Sequence, residues 1–258
     1  EIEAVDEEGI PVGKGCGFIA SAGRVATTFN LVLGASGLRT KLPDGNILQA
    51  AGLAWFDAAS DVAVATLDMG EIPIAPLGDS DRIEQGEKVL ILGPKLGFEN
   101  DVKEARIEKI GAAPAQPAKL SGGVSGANAG GPGFNLAGMV VGVAVLLPDG
   151  SSAMAPVNPL KAGLEEAKTR SFGEVTSAAA QRPAADILRD AHRLLAGGRG
   201  RVAVQLLQRA VSRETPSAAM LTALGEALLA DDRPRAARRR FEEALKTEPG
   251  WPARSGIG

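Results

Sequence analysis

The apolar positions in the first part of the chain form short runs separated by turn residues. Examples are Gly17-Phe18-Ile19-Ala20, Val62-Ala63-Val64-Ala65 and Met139-Val140-Val141-Gly142-Val143, with Gly, Pro or Asp-Gly residues between runs of this kind. Many short β-forming runs joined by tight turns are typical of a closed barrel or a sandwich. Residues 1–160 are therefore predicted to be all-β, with a closing helix near residues 159–168.

The apolar period becomes helical after residue 184. Apolar residues there recur at spacings of three and four, which predicts amphipathic helices with one buried face. Residues 171–183, between the two regions, have no apolar period and are predicted to be a linker. The two helical stripes consist of Ile187, Leu188, Ala191, Leu194 and Leu195, and of Ala203, Leu206, Leu207, Ala210 and Val211.

The helical pattern repeats after 34 residues. The small residues repeat as well, so that Ala191 corresponds to Gly225 and Ala203 to Ala237. Small residues at these positions allow two antiparallel helices to approach closely. A unit that recurs at this period indicates stacked helical hairpins, and the predicted units are 184–217 and 218–251.

Composition and charge divide the chain in the same place. Residues 1–182 contain 15 basic and 22 acidic residues, whereas residues 183–258 contain 13 basic and 9 acidic residues. This difference in charge supports two domains. The overall net charge of −3 gives no general attraction to nucleic acid. No apolar run approaches the roughly 20 residues of a membrane-spanning helix, and a single cysteine excludes an internal disulfide.

One loop of the β region carries the clearest chemical signal, Gly126-Ala127-Asn128-Ala129-Gly130-Gly131-Pro132. It resembles the nucleophile loop of trypsin-fold serine proteases, which has the pattern Gly-Asn-Ser-Gly-Gly-Pro. The position of the serine is occupied by Ala129. Because alanine has no oxygen that could attack a carbonyl group, this loop cannot form an acyl-enzyme.

Five further segments resemble the HtrA-like (Deg) branch of trypsin-fold proteases, in the order in which that family has them. The match covers almost the whole β region and implies a trypsin-type double β-barrel. The segments are residues 15–19, 25–32, 57–64, 77–89 and 153–158.

The resemblance implies that the catalytic triad positions are Asn30, Asp61 and Ala129. It also implies that Ala127, Asn128 and Ala129 form a former oxyanion loop. Only Asp61 keeps the residue type of the family, and we expect it to act as a buried hydrogen-bond acceptor. The triad needs a base with a pKa near 7, and the Asn30 amide cannot take up a proton in that range.

The helical units resemble tetratricopeptide (TPR) repeats. The first unit departs from the repeat pattern at Asp190, where a leucine is expected. The only histidine of the chain, His192, has no second His or Cys at metal-ligand spacing, so no metal and no cofactor are predicted. The resemblance implies a concave peptide groove lined by Leu188, His192, Leu195, Thr222, Glu226 and Leu229.

These patterns predict a multidomain β + α protein. A trypsin-like double β-barrel at residues 1–170 is followed by a linker at 171–183 and a TPR-type domain at 184–258. The leading hypothesis is a catalytically inactive pseudoprotease, not an enzyme, that binds a protein or peptide partner and no nucleic acid. The barrel cleft and the repeat groove would be its binding sites.

Two alternatives stay open. The chain is an HtrA-like serine endopeptidase whose catalytic Ser and His are substituted here, or it is a structural scaffold in which only the TPR domain binds. The resemblance also implies a bacterial cell envelope or periplasmic location. In that family an N-terminal segment, absent from these residues, can provide the anchor.

Overall fold

The computed structural model describes most of the chain. The residues Pro43-Asp44-Gly45 predict a turn, and its first residue lies outside this part, as do the last residues of the second repeat unit, 249–251. The described residues are 1–42, 44–94, 100–113, 115–213 and 215–248.

The first β unit is a seven-stranded antiparallel sheet, counted over the described residues. Its strands have the order β2-β1-β5-β6-β7-β4-β3, so the chain returns to β3 and β4 at the opposite edge from β2. The strands are β1 (Ile2–Val5), β2 (Pro11–Gly15), β3 (Phe18–Ser21), β4 (Arg24–Thr27), β5 (Gly37–Lys41), β6 (Ile47–Asp57) and β7 (Val62–Leu67).

The second β unit is a closed barrel with the strand order β10-β13-β12-β11-β8-β9. Every residue of β12 and β13 is buried, since these strands contact the barrel interior on one side and other parts of the protein on the other. The double-barrel prediction is thereby confirmed. The strands are β8 (Lys88–Pro94), β9 (Asn100–Lys109), β10 (Ala118–Leu120), β11 (Pro132–Phe134), β12 (Val140–Leu146) and β13 (Ser152–Pro156).

Helices follow the second barrel, as the change of apolar period predicted. Helix α6 begins 34 residues after α4, and α7 begins 34 residues after α5, in agreement with the sequence repeat. The assignment of this region to the TPR class, and the domain boundaries, stay predictions. The helices are α1 (Phe29–Val32), α2 (Val157–Leu164), α3 (Phe172–Ala179), α4 (Ala184–Ala196), α5 (Gly200–Val211), α6 (Ala218–Ala230) and α7 (Pro234–Thr247).

The segment predicted to be a linker contains a helix. Ser171 and Glu174 form a reciprocal capping box at the start of α3, in which each side chain bonds to the backbone of the other. Phe172 and Val175 are buried in the apolar core, so the segment is held by packing as well as by its cap. An eight-residue helix is too short to produce a visible apolar period, which is why the linker prediction missed it.

The apolar core of the first β unit continues into the helices. Leu31 and Leu33, in and after α1, belong to the same buried cluster as Leu194 of α4 and Val202 of α5. Phe29 of α1 stacks on a second ring of this unit with centroids 4.8 Å apart. The helical region therefore packs directly on the β region, at the side where the two barrels meet.

Candidate active site at the junction of the barrels and the helices

The three predicted triad positions come from separate parts of the fold and line one small cavity. Asn30 lies on α1, directly after β4, and Asp61 lies in the turn between β6 and β7. Ala129 lies in the loop before β11, where its carbonyl oxygen accepts a hydrogen bond of 2.9 Å from the Cys16 N–H. The structure thus brings together the residues that the family resemblance selected.

Asn30 and Asp61 are joined by two hydrogen bonds. The backbone N–H and the side-chain Nδ2 of Asn30 each donate to Asp61 Oδ1 at 2.7 Å. Asp61 has a φ of 64°, a left-handed conformation that non-glycine residues adopt rarely and that occurs preferentially at functional sites. This backbone turns the carboxylate inward toward α1, where it orients the side chain at position 30.

Burial changes the protonation of Asp61. The residue is 3% exposed, and desolvation raises the pKa of its carboxyl from 3.8 to about 6. The positive charge of Arg193 and the hydrogen bonds from Asn30 act in the opposite direction. Asp61 is therefore a carboxylate near neutral pH, although burial makes its charge costly.

The loop that carries Ala129 is closed by hydrogen bonds within itself. Asn128 Oδ1 accepts from the Ser125 N–H at 2.7 Å, and Asn128 Nδ2 donates to the Gly123 carbonyl oxygen at 2.7 Å. The Ala129 N–H donates to the Ser125 carbonyl oxygen at 2.9 Å. An oxyanion hole needs backbone N–H groups directed at the substrate. The Ala129 N–H is directed into the loop instead.

Two arginines from the helical region reach the cavity. Arg193, at the end of α4, donates to the carbonyl oxygens of Ala58 and Ala59, both at 2.9 Å. Arg199, before α5, donates from Nε to the Val12 carbonyl oxygen at 3.3 Å and from Nη2 to the Leu33 carbonyl oxygen at 3.0 Å. Arg199 Nη1 also donates to the Asn30 carbonyl oxygen. Burial lowers the pKa of Arg199 to about 10, so the guanidinium group stays charged at neutral pH.

Sequence reasoning did not find these arginines. The available signal is Asp190, the acidic residue at a position where the repeat pattern expects leucine. Asp190 is fully buried and forms an ion pair with Arg182, with Arg189 and Arg193 at 3.7 and 3.9 Å. A buried acid of this kind requires cations from its surroundings, and one of them is Arg193.

The predicted groove residues lie on α4 and α6, separate from the cavity. His192 Nε2 is 3.8 Å from Glu226 Oε2, and this contact joins the two predicted repeats. The side chain of Leu229 is 43% exposed, while Thr222 is buried. Leu188 and Leu195 are half-buried. The histidine is directed to Glu226 and is absent from the lining of the cavity. Its role in a groove stays a prediction.

Comparison with known proteins agrees with this geometry. The profile of the trypsin-like peptidase domain matches residues 15–143, half of the chain. The chain therefore belongs to the trypsin-like peptidase family. The matched range includes all three residues of the cavity trio, Asn30, Asp61 and Ala129.

The chain is also similar to curated proteins that are named as serine proteases. The chain is 33% identical over 141 residues to HhoB of Synechocystis sp., which is named as a serine protease, and the match covers 51% of this chain and 34% of HhoB. It is 33% identical over 135 residues to a protein of Pseudomonas savastanoi that is named as a DegP-like periplasmic serine endoprotease. That match covers 50% of this chain and 28% of the Pseudomonas protein. The chain thus matches about a third of the length of these relatives.

A solved structure has the same fold. It is an AlgW variant described as an HtrA-type protease with a tripeptide, and it superimposes with a TM-score of 0.53 at 24% identity. The match covers 62% of this chain and 56% of the other.

These names correct one prediction. The expectation that the protein is not an enzyme is wrong for its family, because the relatives are named as serine proteases. Among the described residues, no helix is long and apolar enough to cross a bilayer.

Proposed function

We propose that the cavity is the catalytic site of an HtrA-type serine endopeptidase in which Asn30 and Ala129 occupy the positions of the base and the nucleophile. The observation that carries this proposal is the pair of 2.7 Å hydrogen bonds from Asn30 to Asp61, with Ala129 in the same cavity. In a Ser-His-Asp triad the carboxylate accepts a hydrogen bond from the base and directs it toward the nucleophile. Asp61 holds the side chain at position 30 in the same way.

The two replacements inactivate the site in this chain. The Asn30 amide does not take up a proton near neutral pH, and the Ala129 methyl group is not a nucleophile. With Asn30→His alone the nucleophile is still missing, and with Ala129→Ser alone the base is still missing. Acyl transfer therefore needs both substitutions together. The Asp61 carboxylate would then stabilise the imidazolium ion that forms when the hydroxyl attacks.

The test compares the Asn30→His, Ala129→Ser double variant with the two single variants as matched controls. Each variant is prepared with Arg199 intact and with Arg199→Ala, because Arg199 lines the cavity. A fluorophosphonate probe and casein hydrolysis report on the nucleophile. We expect labelling of the double variant to be about 100-fold faster than that of either single variant in at least one background. Absence of labelling in both backgrounds, in protein with a native circular dichroism spectrum, contradicts the proposal.

We propose a second function for the helices, the binding of a protein or peptide partner between α4 and α6. The supporting observations are that Leu229 of α6 is 43% exposed and that Leu188 and Leu195 of α4 are half-buried. The His192–Glu226 pair lies on the same face and adds polar anchors. Apolar anchors flanked by polar groups suit an amphipathic helix of a partner.

A peptide library selected against the intact chain tests this second function. The affinity of enriched peptides is measured for the unchanged chain, for Leu229→Asp and for Leu136→Asp, a barrel position that is 70% exposed. We expect a loss of about tenfold or more with Leu229→Asp and a change within about twofold with Leu136→Asp. Equal affinities for all three proteins contradict binding at this face.

We also propose an envelope or periplasmic location, supported by the name of the Pseudomonas relative. Fractionation of cells that express the protein from its own gene provides the test. The protein should separate with periplasmic or envelope markers, and separation with a cytoplasmic marker contradicts the proposal.

A further inference from the structure

The end of α4 and the turn that leads to α5, residues 193–199, line the cavity that holds Asn30, Asp61 and Ala129. We propose that this segment, here called the cleft segment, is a built-in occupant that closes the site against peptide. The inference goes beyond the proposed function, because it concerns access to the cavity and not the chemistry at positions 30 and 129. It rests on hydrogen bonding, remaining volume and the anchoring of the segment.

Arg199 joins the cleft segment to the first β unit by hydrogen bonds. Arg199 directs its guanidinium N–H groups at the carbonyl oxygens of Val12, Asn30 and Leu33. The Asn30 and Leu33 carbonyl groups belong to α1 and its C-cap, where helix geometry leaves carbonyl oxygens without a partner, and Val12 lies at the bulge between β1 and β2. Arg199 satisfies these carbonyl groups and thereby fixes the cleft segment beside Asn30, so a peptide that enters the cavity must displace it.

The cleft segment leaves only a small cavity beside Asn30, Asp61 and Ala129. The cavity between the trio and the cleft segment has a volume of about 40 Å³. This is room for a few water molecules, whereas sites for small ligands have volumes of about 300–1,000 Å³. A peptide side chain does not fit while the cleft segment is in place.

The cleft segment is also held in place by buried side chains. Arg193 is 4% exposed and spans from Asp190 on its own helix to the carbonyl oxygens of Ala58 and Ala59, close to Asp61. Leu194 is fully buried in the core that the helices share with the first β unit. Polar and apolar contacts together therefore hold the segment in the cleft.

The contact between the cleft segment and the first β unit leaves some buried polar atoms without a hydrogen-bond partner. Asp190 Oδ1, Arg193 Nε and Asn30 Oδ1 are buried without a hydrogen-bond partner. Buried polar atoms without partners are costly, so the closed arrangement is less stable than fully satisfied packing would be. This cost lowers the free energy needed to move the cleft segment away from the site.

The first experiment measures access to position 129 without any catalysis. An Ala129→Cys thiol, in a Cys16→Ala background, is alkylated with a peptide-linked maleimide. The rate is compared with that in the same protein carrying Arg199→Ala, or Arg201→Ala as the matched control, since Arg201 is a neighbouring arginine whose side chain is 74% exposed. We expect Arg199→Ala to raise the rate about tenfold or more and Arg201→Ala to leave it within about twofold. Equal rates in all three proteins overturn the proposal.

The second experiment leaves Arg199 in place, so it tests the proposal even if the Arg199→Ala protein fails to fold. A Cβ atom at Gly126 would lie 3.8 Å from the Gly197 Cα atom, whereas a Cβ atom at Gly197 would face the carbonyl oxygens of Arg193 and Leu194. The two positions are thus close but not oriented for a direct disulfide, so a short bifunctional maleimide is used to join them. Gly126→Cys with Gly197→Cys, in the Cys16→Ala background, should be cross-linked within one molecule, and Gly126→Cys with Gly173→Cys should not, because a Cβ at Gly173 meets no atom within 4 Å. A folded first pair that is not cross-linked overturns the proposal. Because neither experiment uses catalysis, its outcome is separate from that of the endopeptidase test.

Discussion

Asp61 concentrates the chemistry of the site in one residue. Its left-handed backbone, its two hydrogen bonds from Asn30 and its burial occur together. A carboxylate in this position is expensive for the folded state, because burial raises its pKa from 3.8 to about 6. The cost has a direct consequence for stability as a function of pH.

Between about pH 4 and pH 6 the folded protein binds the Asp61 proton more tightly than the unfolded chain does. The free energy of unfolding must therefore fall as the pH rises through this range. Asp61→Asn removes the titration, and we expect the fall between pH 4 and pH 7 to be smaller by up to about 3 kcal/mol. Urea denaturation of both proteins at several pH values measures this difference.

The control for this measurement is Asp68→Asn, at an exposed position. Burial also raises the pKa of Asp190, which contributes a fall of the same sign in every variant, and the charge of Asp190 is itself one of the causes of the raised pKa of Asp61. An Asp61→Asn protein with the same pH dependence as the unchanged chain would contradict the assignment to Asp61.

Among the secondary-structure elements, helix packing depends on the smallest residues. The facing helices α6 and α7 meet at Gly225, where an added Cβ atom would lie 2.4 Å from Phe241 Cε1. The other small residues of the repeat pattern, Ala191, Ala203 and Ala237, are fully buried. The close approach predicted from the 34-residue pattern is present at Gly225, because even a methyl group there would meet the Phe241 ring.

Gly225→Ala should destabilise the protein. In an exposed helix, Gly→Ala stabilises by about 1 kcal/mol, but overpacking against the Phe241 ring costs about 1–3 kcal/mol and should exceed this gain. Gly173→Ala in α3 is the matched control, since its Cβ atom would meet nothing within 4 Å and should raise stability. Opposite signs of the two changes in chemical denaturation support this account. A stabilising Gly225→Ala would show that the helices can separate at no cost.

On the scale of the whole molecule, one apolar cluster joins the first β unit to the helices. It includes Leu33 after α1, Phe172 and Val175 of α3, and Leu194 of α4. Removal of the helices would expose this surface to water, which is why we do not expect the two regions to behave as independent bodies.

We expect the chain to unfold in one cooperative transition. Calorimetry should give equal van't Hoff and calorimetric enthalpies. Leu194→Ala should lower the temperature of the entire transition through a loss of about 2–5 kcal/mol, whereas Ile74→Ala, at a side chain that is 50% exposed, should have little effect. Two separate transitions, with only the second affected by Leu194→Ala, would contradict a shared core.

The sequence by itself determined the classes of element and the positions of the predicted triad. Alternating apolar runs, turn residues and the 34-residue repeat are local patterns, and each element follows from residues within it or from its neighbours. The motif around Ala129 and the segments with Asn30 and Asp61 could be placed for the same reason. The capping box of Ser171 and Glu174 was also readable, although the helix that it starts was not predicted.

Only the tertiary structure decided what occupies the cleft. Arg199 bonds to carbonyl oxygens of residues 166 to 187 positions away, and no spacing rule connects such distant residues. Asp190 looked like a fault in a repeat, whereas the fold makes it a buried partner of three arginines. Backbone carbonyl groups are present at every residue. Which of them face a given side chain depends on how the two regions pack, and that packing is a property of the complete fold.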